Sequence, residues 1–66
     1  MKELIQKLED EKYELQDKIE NLESFLDSEK LKDIKYSQRG LLFEQLHYMK
    51  KYFIVLETRI SDLLEN

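Results

Sequence analysis

An all-α antiparallel helical hairpin is the fold this sequence predicts, and three observations predict it. Among 66 residues there is no proline and one glycine, with 39% charged and 41% hydrophobic side chains. That composition reads as nearly continuous helix, not as disorder or a turn-rich β fold. Apolar residues recur at alternating spacings of three and four in two separate stretches, which is the period of a helix seam. Between those stretches the pattern lapses, in a block from 28 to 40 that carries net charge +2 while its flanks carry −5 and −1.

The first stretch places Ile5, Leu8, Leu15, Ile19, Leu22 and Leu26 on a and d positions, with Lys12 in the one charged gap. Glu3–Lys7 and Glu14–Lys18 are acid-then-base pairs four residues apart, each adding a few tenths of a kcal/mol. This predicts a helix over 2–27. In the second stretch, Leu42, Leu46, Met49, Phe53, Leu56, Ile60 and Leu63 keep the seam without a miss and predict a helix over 38–64. Ser37 is the expected N-cap, with Gly40 weakening the first turn. The connector, 28–37, offers one short helical turn, with Ser28 as its cap and Leu31 and Ile34 pinning it to the helices. Two helices of matched length and a connector of this size make one helical-hairpin domain over 1–66.

Such a hairpin is expected to associate with copies of itself into a homo-oligomeric helical bundle. Ordering costs of about 1.5 kcal/mol per residue leave so short a chain near zero net stability without a staple, a metal or a partner. Beside the second helix's seam runs another stripe, Leu41, Gln45, Tyr48, Tyr52, Val55 and Arg59, and Phe43 and Ile54 lie outside both. One facing helix cannot cover so wide a surface. The seam is then expected to pack within a hairpin and the second stripe between protomers.

Composition excludes several functions. With one histidine and no cysteine, most zinc constellations and any disulfide are ruled out. His47 falls on the polar side of the second helix with no acidic partner by spacing, and one glycine cannot build a phosphate loop. No enzyme, cofactor or metal site is expected. Net charge −4 argues against a DNA or RNA polymer as partner. The longest apolar run, Tyr52 to Leu56, is five residues, too short for a signal peptide or a membrane span. A soluble, cytoplasmic protein that does not engage membranes is expected.

What chemistry remains is aromatic and basic. Tyr48, Lys51 and Tyr52 lie within about one turn, Gln45 just precedes them, and Arg59 continues the stripe. Tyrosine rings stack on bases, while Lys, Arg and Gln hold phosphates and base edges. Arg39, in the basic connector with Tyr36, and Lys18, beside the first helix's seam, offer the same chemistry. The candidate ligand-binding residues are therefore Lys18, Arg39, Gln45, Tyr48, Lys51, Tyr52 and Arg59. The plainer reading makes Tyr48 and Tyr52 interface aromatics, pairs Arg59 with acids of the first helix and leaves the connector lysines solvated. Lys12 on an a position reads first as a device that fixes register or oligomer state.

The spacing Glu11-Lys12-x-Glu14-Leu15-x-x-Lys18-Ile19-x-x-Leu22-x-x-Phe25-Leu26, with Leu41-Leu42-x-x-Gln45-Leu46-x-x-Met49-x-x-Tyr52-x-x-x-Leu56-x-x-Arg59-Ile60, resembles a widespread group of short helical-hairpin proteins of tailed phages. That group includes anti-CBASS nucleotide sponges. The resemblance covers roughly residues 8–60; Lys18, Gln45, Tyr52 and Arg59 carry its specificity, and Tyr48 and Phe53 are bulkier than the group's usual residues. It implies a homo-oligomeric immune-evasion protein in the cytoplasm of an infected bacterium. Such a protein sequesters a small cyclic nucleotide signal, such as cyclic GMP–AMP, in pockets between protomers without cleaving it. The alternative is a coiled-coil adaptor or inhibitor that docks its exposed stripe on a host protein and takes no small molecule.

Overall fold

The computed structural model describes residues 1–65 and is helical throughout its regular elements. Helix α1 spans Lys2–Leu26, a 3₁₀ turn spans Glu29–Asp33, and helix α2 spans Tyr36–Leu64. The two long helices run antiparallel in a rod of 48 × 15 × 13 Å, whose width is that of two helices side by side. Its radius of gyration is 15.1 Å, against about 11 Å for a globular chain of this length. A shape so extended gives each residue few places to hide.

The buried residues are accordingly few: Leu8, Leu15, Ile19 and Leu26 from α1, and Leu56 and Ile60 from α2. Ile5, Leu46, Met49, Phe53 and Leu63 pack half-buried against this cluster. All belong to the two seams, because residues three and four apart share a helix face and only that face meets the other helix. Among the described residues Leu56 alone reaches 0% exposure, inside the cluster it forms with Leu8, Leu15, Ile19 and Ile60. Lys12, the charge in the seam of α1, is half-buried, and its Nζ sits 5.2 Å from the centroid of the Tyr13 ring.

The connector is held by specific bonds. Ser28 Oγ donates to the Phe25 carbonyl at 2.7 Å, beside the Ser28 amide's own bond to it at 3.1 Å, and accepts from the Lys30 amide at 3.3 Å. Leu31 and Ile34 are half-buried beneath it. Ile34 is extended at φ −89° and ψ 135°, and α2 begins directly afterwards, with Lys35 as its N-cap.

This start differs from the expectation at Ser37. Ser37 lies one residue inside the helix and caps nothing; the Lys35 carbonyl already accepts from the Gln38 amide at 2.8 Å. The physical reason is Arg39. Its Nε donates to the Ile34 carbonyl at 3.1 Å and its Nη2 to the Lys32 carbonyl at 3.0 Å. From the first turn of the helix the guanidinium spans both carbonyls and ties that turn to the end of the connector. Gly40 follows in the same turn, where a β-carbon would meet nothing within 4 Å.

Candidate functional site

The candidate residues divide by the flank they occupy. Glu23 of α1 and Lys50 of α2 form an ion pair at 2.8 Å. Gln16, Glu20 and Glu23 share an open groove with Lys50, Ile54 and Glu57, floored by Ile19 and Phe53 and about 420 Å³ in volume. These contacts fix both the register and one flank. A step back along α1 from Glu23 meets a step forward along α2 from Lys50, as the helices run antiparallel.

The opposite flank follows from helix geometry. At about 100° per residue, Lys18 projects from α1 on the side away from Gln16 and Glu23, and Tyr48, Tyr52, Val55 and Arg59 project from α2 on the side away from Lys50 and Glu57. In this register Lys18 comes level with Val55, between the levels of Tyr52 and Arg59. Tyr48 and Gln45 lie one to two turns nearer the connector, level with Phe25 and Ser28.

The whole of this stripe is open. Leu41 is 54% exposed, Tyr48 61%, Tyr52 44% and Val55 52%, and Gln45 and Arg59 are exposed too. Among the described residues Gln45 makes only a long contact one turn along its own helix, Nε2 to Met49 Sδ at 3.9 Å. Arg59 makes no ion pair with an acid of α1: among the described residues the ion pair is Lys50–Glu23, on the other flank. The expectation that Arg59 is neutralised by the first helix is therefore not met within one hairpin. The reason is positional, since the acid level with it, Glu14, projects outward along its own flank. Lys18 is likewise exposed and unpaired among the described residues.

Two candidates stand apart. Arg39 is half-buried and spends its guanidinium on the Lys32 and Ile34 carbonyls, with its Cζ 5.8 Å from the Tyr36 ring. Lys51 is exposed on the outer face of α2, turned away from α1. His47 is also exposed and meets Tyr48 edge-on, with ring centroids 5.4 Å apart. The acidic groove with Lys50 was not among the residues picked out from sequence. Ile54, an apolar residue outside the seam, was its only sign there, and pairing it with Glu20 and Glu23 requires the register of the hairpin. Among the described residues no three His, Asp or Glu side chains are gathered to hold a metal ion, and no helix is long and apolar enough to cross a membrane.

A family model described as Sequestin matches residues 2–62, nearly the whole of both helices and the connector between them. The chain belongs to the Sequestin family. The match agrees with the resemblance to nucleotide sponges drawn from the spacing over Glu11 to Leu26 and Leu41 to Ile60. This is a family of binding proteins, not of enzymes, with a sequestering role in immune evasion directed at small nucleotide signals. Searches of curated proteins and of solved structures give no significant match. For this Sequestin chain, then, the two-helix fold and the sequestering role stand together, and the exposed flank of α2 is where its aromatic and polar side chains gather.

Proposed function

We propose that this chain sequesters a cyclic nucleotide immune signal, cyclic GMP–AMP or a kindred molecule, in clefts between protomers and holds it without cleaving it. One observation carries the reading. The stripe Leu41, Gln45, Tyr48, Tyr52, Val55 and Arg59 is apolar and aromatic enough to seek cover, yet it stands open along the full length of α2. Three grooves on the single hairpin lie between other residues, around Lys50 and Glu57, around Phe43 and Leu46, and around Phe25 and Lys30. A second copy laid on the stripe would supply the missing wall, and the polar members of the stripe would then line the junction.

The chemistry suits the ligand. A cyclic dinucleotide is a small dianion with two flat bases, so a few local cations and tyrosine rings suffice and the acidic net charge is no obstacle. The protein would act in the cytoplasm of an infected bacterium, where such signals are made. Isothermal titration against a panel of cyclic mono- and dinucleotides tests the proposal. It expects saturable binding of at least one member, recovered chemically intact after heat denaturation. An absence of heat across the panel, or recovery of a cleaved product, overturns it.

A further inference from the structure

We propose that the flank carrying the Glu23–Lys50 ion pair is a docking surface for a basic amphipathic helix of a protein partner, lying along the hairpin as the third helix of a bundle. The inference stands apart from the sequestration reading, because Tyr52 and Arg59 project from the opposite flank. Two grooves follow one another here and meet at Glu23. The first, about 420 Å³, runs between Gln16 and Glu57; the second, about 470 Å³, continues past Asp27 and Phe43 toward the connector. On each helix the lining residues recur at the three- and four-residue spacing of a single face. At 1.5 Å per residue the trough is about 17–21 Å long, room for a helix of three to four turns.

Shape and charge together say what fits it. Ile19 and Leu26 are buried in its floor, Leu46 and Phe53 are half-buried, and Ile54 and Phe43 line it more than half exposed. Ile54 and Phe43 are about three turns of α2 apart, so an apolar ridge of that length covers both. Glu20, Glu23, Asp27 and Glu57 line the trough against one cation, Lys50, so four acids and one base leave a net charge of −3. Of these acids, only Glu23 has an ion-pair partner among the described residues. Lysines or arginines on the edges of an incoming helix then meet uncommitted carboxylates while its apolar face covers Ile54 and Phe43. A second copy does not match. Laid face to face about a two-fold axis, this flank sets net −3 against net −3. The chain's own basic block, 28–40, carries charge without an apolar ridge, since Leu31 and Ile34 are half-buried within their own hairpin.

The test is fluorescence anisotropy of a labelled synthetic peptide titrated with the full chain. The peptide is about 14 residues of leucine and lysine, with leucines at helical a, d and e positions. Saturable binding is expected, and a scrambled peptide of the same composition, with no apolar face, is expected to bind roughly tenfold more weakly or worse. Ile54→Ser and Phe43→Ser are each expected to weaken binding of the ordered peptide roughly tenfold, while Leu64→Ser, outside both grooves, leaves it within about twofold. Glu20→Gln with Glu57→Gln is expected to cost several-fold more than Glu3→Gln with Glu14→Gln, which removes the same charge away from the trough. All these side chains are exposed, and circular dichroism checks that each variant stays helical. Absence of peptide binding, equal binding of the scrambled peptide, or wild-type affinity in both Ile54→Ser and Phe43→Ser overturns the docking surface. So does sedimentation showing that these two substitutions shrink the assembly formed without peptide, because a second copy then occupies the trough.

Discussion

Leu56 is, among the described residues, the one side chain that the hairpin hides completely, and its neighbour Val55 is 52% exposed, so the pair separates what one chain contributes from what a second copy adds. Leu56→Ala removes three carbons from the cluster of Leu8, Leu15, Ile19 and Ile60 and leaves a void at mid-rod. Lost transfer energy and the cavity together cost about 3 kcal/mol, within the usual range for a buried leucine. A folded chain this small has a total stability of only about 3–10 kcal/mol. With a urea dependence of about 1 kcal/mol per molar, the unfolding midpoint falls by roughly 3 M. Val55→Ala removes two half-exposed carbons and costs a lone hairpin under about 1 kcal/mol. If a second copy covers Val55, the loss is larger and the midpoint shifts with protein concentration. Urea titrations followed by circular dichroism at 222 nm, at protein concentrations spanning two decades, read both. A Leu56→Ala midpoint within about 0.5 M of wild type would refute the antiparallel core. Midpoints that ignore concentration, in wild type and Val55→Ala alike, would refute cover by a second copy.

Two further outcomes follow from the structure. Gly40→Ala should raise stability by about 1 kcal/mol, because alanine favours helix and its methyl meets nothing within 4 Å; a lower melting temperature would show that the first turn of α2 is not helical as described. Arg39→Lys should cost about 1–2 kcal/mol in chemical denaturation, since an ammonium cannot span the Lys32 and Ile34 carbonyls as the guanidinium does; an unchanged midpoint would remove its role in holding the connector.

Much of this fold is legible in the sequence, for reasons that attach to particular residues. The seam from Leu42 to Leu63 keeps its spacing without a break, so one face of α2 had to be the buried one, and Leu56 and Ile60 are buried on it. Helix periodicity is local, and a chain with no proline has little to interrupt it. The open second stripe was legible too, because a single facing helix cannot cover half a circumference. The start of α2 was not. Ser37 has the chemistry of a cap, but the bonds from Arg39 to the connector govern where the helix begins, and these join groups five and seven residues apart through a turn with no periodic signature.

By itself the sequence determined two amphipathic rods and the face each must bury, since these depend only on residue type and on 3.6 residues per turn. Only the tertiary structure decided which side chains of α1 stand level with which of α2. Register is a property of the pair, set by the length and bonding of the connector, and neither helix carries it alone. That is why Lys18 and Arg59 project on the same flank, Lys50 meets Glu23 on the other, and Arg39 is drawn into the turn.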